Sequence, residues 1–549
     1  MPRIPRPAWL SLLGILLLAA TLFFTHLGAV GLFDADEPAY AVAAREMRQT
    51  GDWVTPTFNG EPRFDKPILF YYLVVLAYAA FGVNEFAARF WPALAGVCLA
   101  VLVWRLEDRH AGGGMRTAVL AFLLNPLTWM AGRYAVTDMV MVLFLTGCLA
   151  LAYAALTAPE AGARRRAWLG AAACSALAVL VKGPIGLVLP GLILVAYVLL
   201  TGRLGPALRG PGLLPGALIF LALVLPWYLL ELRREGWAFV EAFFLKHHLR
   251  RYLTGVSGHE QPFWFYVPVL FIAFFPWSAF LPGAIARAAR RRGGAIARDG
   301  AGDWEAFCLV WFSVTFLFFS AGRTKLPSYL LPAFPALAFL VGGWIEDPAT
   351  PRRAWRRAAV LLAGLGLPLA AGSAGIPWIL RAAAPRVPAL AETPYAGWVH
   401  ALLAVLLAVG TATGAVAAWG ARRRVAVGAL AGMMLLLAAA LVQWVVPLAH
   451  AVLQGPLETL VLAMRERLRP GDTVVVYGFN APSVVFYAGR RVVKVERGDR
   501  EGLRRELGPP RRAFALVRIP DREDLAGLPG VFPLAQRGEY SVYFTGLSP

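Results

Sequence analysis

Apolar residues recur along this chain in blocks of roughly 20, the length a helix needs to cross a ~30 Å hydrocarbon core. Short polar, arginine-bearing segments part the blocks. The pattern predicts thirteen membrane-spanning helices, at 9–30, 86–104, 116–132, 137–157, 168–182, 185–201, 212–230, 263–283, 305–322, 327–345, 358–380, 398–418 and 425–447. A further apolar run, 67–82 (PILFYYLVVLAYAAFG), is short and is read as an interfacial helix. After 447 the pattern changes. Segment 456–469 (PLETLVLAMRERLR) reads as an amphipathic helix. GDTVVVYG, SVVFYA, RRVVKVE, RAFALVRIP and YSVYFTG follow as short β-branched and aromatic runs parted by Gly and Pro, and these read as strands. The fold class expected is a polytopic α-helical membrane protein. Residues 1–447 would form its transmembrane part, with an outer loop 31–85 containing interfacial helices. Residues 448–549 would form a small C-terminal α/β domain.

Composition narrows the class. The 549 residues are 58% hydrophobic and 16% charged. A soluble chain of that size would divide into domains with polar surfaces. Long alternating strand patterns are absent, which argues against a β-barrel. The net charge of +20 would suggest nucleic acid in a soluble protein. Here the excess is arginine in short loops between spans, so nucleic-acid binding is set aside. With Arg3 and Arg6 inside and 67–82 lying flat, 105–116, Arg164 to Arg166, Arg203 with Arg209, Arg287 with Arg290 to Arg292, Arg352 to Arg357 and Arg422 to Arg424 share one face. That face reads as cytoplasmic. The loops 31–66, 132–138, 182–185, 231–262, 321–328 and 381–397 then emerge outside, as does the C-terminal domain. Cys98, Cys148, Cys174 and Cys308 lie in apolar runs and show neither metal spacing nor a disulfide framework. The first apolar stretch is too long for a signal peptide and reads as an uncleaved helix.

The chemistry-bearing residues gather on the outer loops. LFDADEPAYAVAAREM places Asp36 and Glu37 at the start of a helix-forming stretch, where the helix dipole favours their ionised form. Ionised carboxylates suit a base or a metal ligand, although isolated acids at a span end are more often solvated. PRFDKPILFYY offers Asp65 and Lys66, a snorkelling lysine or an anion site. GRYAVTDMVMVLF starts a span at Asp138, an N-cap or a second acid facing the same cavity as Asp36. VLVKGPIGLVLP ends a span at Lys182. FFLKHHLRRY holds Lys246, His247, His248, Arg250 and Arg251 outside, against the positive-inside trend, and a lipid phosphate is the obvious partner. SAGRTKLPSYLLP brings Arg323, Lys325 and Tyr329 to the same face. Cations at membrane depth suit a phosphate leaving group, and a carboxylate suits an acceptor hydroxyl. Composition and spacing leave two readings, chemistry on a lipid-linked phosphate and transport. A transporter would place its polar groups near the midplane, often in matched repeats. No repeat is visible here.

DEPAYAVAAREMRQTGDWVTPTFNGEPRFDKPILFYYL resembles the first outer loop of the bacterial GT-C glycosyltransferases of the aminoarabinose-transferase and protein-mannosyltransferase type. GRYAVTDM, LVKGPIGLVLP, FFLKHHLRRY and TKLPSYLLP are similar to further signatures of that group, in the same order. The resemblance covers residues 30–345. It implies an inverting enzyme that takes a sugar from undecaprenyl phosphate, outside the inner membrane of a bacterium. The transfer would carry 4-amino-4-deoxy-L-arabinose to lipid A, or a hexose such as mannose to protein or a surface polysaccharide. By the same resemblance Asp36 matches the main catalytic acid and Asp138 a second essential acid. Lys66 matches a carrier-phosphate contact, and Lys182, Arg251 and Tyr329 match further cavity residues. Asp65 and His248 match a pair of ligands for a divalent metal such as zinc. The family pattern usually reads Phe-Glu-Lys-Pro where this chain reads Phe-Asp-Lys-Pro, which weakens the metal expectation. Membrane lipids are the remaining expected partners.

Overall fold

The computed structural model describes residues 8–111, 114–202, 212–254, 258–293, 301–386, 390, 397–508, 512–525 and 528–545. Arg3, Arg6, Arg203, Arg209 and most of the loop 381–397 lie outside the described residues. The protein is a multi-pass helical membrane protein. Among the described residues eight helices are long and apolar enough to cross a membrane: Glu85–His110, Asp138–Thr157, Leu213–Glu235, Asp303–Ala321, Pro327–Glu346, Arg352–Ala383, Trp398–Trp419 and Arg423–Leu453. Trp9–Phe24 and Ile185–Thr201 are apolar but shorter. Ala161–Lys182 is helical over its whole length.

Two predicted spans are not single helices. The run 116–132 breaks into Thr117–Leu123 and Pro126–Ala131. Asn125 makes the break: its side chain donates to the carbonyls of Ala121 and Phe122 and accepts from the Thr128 amide, closing one helix and capping the next. Pro126 at the first helical position completes the restart. The run 263–283 bends by 113° between Phe263–Ala273 and Trp277–Arg291, at Pro276, which cannot donate to a helix ladder. The run 67–82 forms the helix Leu69–Phe81. At 13 residues it is about 20 Å long, short of a ~30 Å crossing.

The loop before it is ordered by local chemistry. β1 (Thr57–Phe58) and β2 (Glu61–Pro62) pair as an antiparallel hairpin across Asn59-Gly60. Both turn residues have positive φ, as a tight two-residue hairpin requires. Glu46 accepts from the Thr57 hydroxyl and the Gly60 amide, so the hairpin is pinned to the helix Asp36–Thr50. That fixes where the following residues, Arg63 to Lys66, can reach.

The C-terminal segment holds a five-stranded sheet in the order β4-β3-β5-β7-β6. β3 (Thr473–Tyr477) pairs in parallel with β4 (Val493–Val495) and β5 (Ala513–Arg518). β5 pairs antiparallel with β7 (Tyr540–Thr545), and β7 with β6 (Val531–Arg537). Alternate residues split the core. Val474, Val476, Phe514, Leu516, Val542 and Phe544 join the main core, while Val475, Tyr477, Ala515 and Val517 pack with Leu503 and Leu507 on the other face. The expectation of a strand at SVVFYA is corrected: Pro482–Ala488 is a helix with every residue buried. Pro482 sits at its first turn and Gly489, with positive φ, ends it.

This short helix docks the C-terminal domain onto the membrane part. Arg45 donates to the carbonyls of Phe486 and Val485 at 2.7 and 2.9 Å. The Ser483 amide donates to Asp34 at 2.8 Å, and the Ser483 hydroxyl bonds the other carboxylate oxygen. The Tyr487 hydroxyl accepts from the Leu32 amide and donates to Glu85. These contacts run from the loop before the helix Asp36–Thr50 to its third turn.

Candidate active site

Adjacent acids at the start of that helix have opposite surroundings. Glu37 is fully buried. Arg89 grips both of its oxygens at 2.8 and 2.7 Å, and the amides of Ala135 and Phe33 donate to them at 2.7 and 2.9 Å. Arg89 also donates to the carbonyls of Leu27, Val30 and Gly31. Glu37 was expected among the catalytic acids, yet its acceptors are all engaged with the scaffold. Asp36 is exposed. Among the described residues no side chain bonds its carboxylate, while Tyr40 and Tyr134 feel its charge.

The hairpin delivers Arg63, Asp65 and Lys66 opposite the π-helical stretch Val240–Arg250. Asp65 Oδ2 meets Arg63 at 2.8 Å and Oδ1 meets His247 Nε2 at 2.9 Å. Burial opposes the Asp65 charge, but the bond from His247 and the charges of Arg63, His247 and Lys66 outweigh it and hold the carboxyl well below its usual range. Lys66 donates to the Asp65 carbonyl at 2.9 Å. Burial, opposed by Asp65 and reinforced by the repulsion of Lys182 and Arg251, brings its ammonium down to about 8. Three cations therefore face one another across a small space. The Arg251 Nε is buried with no hydrogen-bond partner among the described residues. A buried, unpaired guanidinium donor beside two ammonium groups is a cradle for an anion.

Asp138 and Lys182 meet at 2.9 Å, each nearly buried. Lys182 also lies over the Tyr329 ring, 5.7 Å from its centre. Thr137 precedes Asp138, but no side chain caps this helix start, so Asp138 acts on Lys182 rather than as an N-cap. The turn after Lys182 needs glycine. Gly183 has φ +86°, and a Cβ there would lie 2.6 Å from His248 Nε2 and 3.1 Å from the Phe243 ring. Lys325 is buried, and its ammonium donates to the carbonyls of Gln261, at 2.9 Å, and Gly322. It therefore ties down the loop beside the cradle.

The two residues that the resemblance pairs on a metal have other partners. Both Asp65 oxygens are engaged, and His248 sets Nδ1 2.6 Å from the Phe243 carbonyl. Burial, above all, lowers the His248 ring to about 4 and keeps it neutral. Among the described residues no three His, Cys, Asp or Glu side chains converge. No step below runs through a metal ion.

Arg63 is the site residue that sequence reasoning passed over, and His247, named with the outer-loop cations, was given no role of its own. The arginine stands two positions before Asp65 in PRFDKP. The Asn-Gly pair five residues upstream of Phe64 was the available signal that the segment folds back.

Comparison with known proteins follows the same lines. Residues 65–229 match the family described as dolichyl-phosphate-mannose-protein mannosyltransferase. The chain is 31% identical over 409 residues to an undecaprenyl phosphate-α-4-amino-4-deoxy-L-arabinose arabinosyl transferase of Sodalis glossinidius, covering 71% of this chain and 70% of that one. It is 33% identical over 338 residues to a transferase of the same name from Pseudomonas fluorescens, covering 61% of this chain and 56% of that one. The chain thus spans little more than half the length of the Pseudomonas relative. The crystal structure of ArnT from Cupriavidus metallidurans bound to undecaprenyl phosphate superposes with a TM-score of 0.79 at 25% identity, covering 98% of each chain.

Proposed function

Because the chain belongs to the aminoarabinose-transferase family of GT-C glycosyltransferases, we propose that it moves 4-amino-4-deoxy-L-arabinose from undecaprenyl phosphate to lipid A. The observation that carries this reading is the anion cradle of Lys66, Lys182 and Arg251, beside Asp65, with Tyr40 feeling the charges of both Asp65 and the unpaired carboxylate of Asp36. A relative crystallised with undecaprenyl phosphate supports the choice of carrier. The arginine-rich loops on the opposite face support an inner-membrane protein whose cradle and C-terminal domain face the periplasm.

In the reaction an acceptor oxygen attacks the anomeric carbon from the face opposite the carrier. The new C–O bond forms as the bond from that carbon to the phosphate oxygen breaks, which inverts the centre. Undecaprenyl phosphate leaves with the electron pair. Lys66, Lys182 and Arg251 neutralise the charge that grows on it, in a site partly closed to water. Asp138 holds the Lys182 ammonium in place, and Tyr329 bounds its other side. Arg63 and His247 hold the Asp65 carboxylate, whose backbone carbonyl orients Lys66. Asp36 orients the acceptor and takes its proton where the acceptor is a hydroxyl. A lipid A phosphate is largely ionised near neutral pH and needs little base.

A second reading is mannose or another hexose transferred to protein, favoured by the mannosyltransferase match over 65–229. Mass spectrometry of lipid A from cells with and without the gene separates the two. Loss of an aminopentose mass supports the first. An unchanged lipid A profile beside altered glycoproteins replaces it with the second.

A further inference from the structure

The end of the helix bundle opposite the cradle carries a second basic cavity. The helix Pro327–Glu346 links the two levels: it starts just after Lys325, beside the cradle, and ends at Glu346, about 30 Å away for its 20 residues. There the ends of Leu281–Gly293 and Arg352–Ala383 enclose a cavity of about 330 Å³. Its walls include Pro282, Ala286, Trp344, Ala358 and Leu361, and its rim holds Arg287, Arg290, Arg357 and Asp347.

The charges at the rim do not balance. Asp347 and Glu305 are shared by Arg287 and Arg291 at 3.0 to 3.4 Å, so that network is internally neutral. Arg290 and Arg357 are exposed and have no ion pair or hydrogen bond among the described residues. The first turn of Arg352–Ala383 also lines the cavity, through Pro351 and Ala354, and no side chain caps that helix. Its free amides and dipole add to the positive field. An apolar track leaves the cavity towards the membrane core. Ala354, Ala358 and Leu361 lie on one helix face, and beside Gly364, three residues further, nothing stands within 4 Å.

We propose that this cavity binds the phosphodiester headgroup of an anionic diacyl phospholipid from the cytoplasmic leaflet. Arg290 and Arg357 would hold the phosphate, and an acyl chain would follow the Leu361 track. The occupant follows from complementarity: two exposed guanidinium groups with no carboxylate partner among the described residues favour an anion, and the apolar exit favours one that carries a tail. The site is remote from the cradle and takes no part in sugar transfer.

Native mass spectrometry of the purified full-length protein with added phosphatidylglycerol tests this. Retention of phosphatidylglycerol over phosphatidylcholine is expected, and R290Q/R357Q should weaken it by about thirtyfold, the combined effect of two arginines at an anionic surface. R424Q, an exposed arginine on the same face, should leave retention unchanged. If the double variant does not fold, Ala354→Leu, which keeps every charge and fills the cavity, should give the same loss. Equal losses in R424Q, equal retention of phosphatidylcholine, or full displacement of the lipid by millimolar inorganic phosphate would each overturn the proposal.

Discussion

On the proposed reading, replacing Lys66 with Arg should flatten the pH dependence of undecaprenyl phosphate binding. In the free protein the Lys66 ammonium titrates at about 8, against 10.5 for an ordinary lysine. The shift is downward and the group is a base, so the signs are these. Below about pH 8 Lys66 is charged and can pair with a phosphate. Above it the group is neutral and the cradle loses one of its three cations. The charged fraction is about nine tenths at pH 7 and about one tenth at pH 9, so affinity should fall about tenfold across that window. The carrier phosphate is already a dianion there, since its second ionisation lies near ~6. His248, at about 4, stays neutral throughout. Calorimetric titration of protein in nanodiscs with undecaprenyl phosphate at pH 7, 8 and 9 measures the slope. Lys66→Arg keeps its charge and should bind with little slope, whereas Lys66→Gln should bind weakly at every pH. The reasoning fails if Lys66→Arg keeps the wild-type slope, or if the wild type has none. Folding carries the opposite sign. Between about pH 8 and 10.5 the unfolded chain holds a proton that the folded chain releases, so this group opposes folding fully below about 8 and ceases to do so above 10.5.

Asp36→Asn should fold normally, because the side chain is exposed and unpaired, yet lose on the order of 100-fold in turnover on a hydroxyl acceptor and far less on a phosphate acceptor; full activity on both removes the base role. Glu37→Ala leaves Arg89 buried without its carboxylate and should cost about 3–5 kcal/mol. A melting temperature unchanged in detergent would show that the clamp does not matter. Gly183→Ala must move His248 or the Phe243 ring and strain a backbone at φ +86°, so carrier binding should weaken while the protein still assembles. Unaltered binding would mean the turn does not shape the cradle.

The membrane part was legible because burial in lipid imposes one strong rule, apolar length. It failed where a single polar side chain competed with the helix ladder. Asn125 splits one predicted span by capping its own break, and Pro276 folds another. The C-terminal helix was misread because VVFYA favours strands by composition, while Pro482 and Gly489 at its ends and burial between Asp36–Thr50 and Gly455–Arg465 make it a helix. The cradle lysines, Arg251 and Asp138 could be named because they stand in the outer-face motifs that carry the family resemblance. The distinction between His247 and His248 could not, because the turn of a π-helix decides which ring faces Asp65.

Asp36 and Glu37 show how neighbouring acids in one motif divide the work. Successive residues on a helix point about 100° apart. If one faces the bundle, the next can face the cavity, and only the first can anchor the helix without filling the site. Here the anchor is strong on every side. Glu37 joins the helix to Arg89 and the Ala135 amide, Asp34 joins the preceding loop to Ser483, and Arg45 joins the next turns to the Phe486 and Val485 carbonyls. Burial raises the Asp34 carboxyl against the two bonds from Ser483, so this tether is held by geometry more than by charge. Two of the three tethers end on the helix Pro482–Ala488, so the C-terminal segment helps to set the orientation of the helix that carries Asp36. If Asp36 is the acceptor's base, as proposed, this segment would act on catalysis by position, since an acid that must stay unpaired until an acceptor arrives can be fixed only through its neighbours.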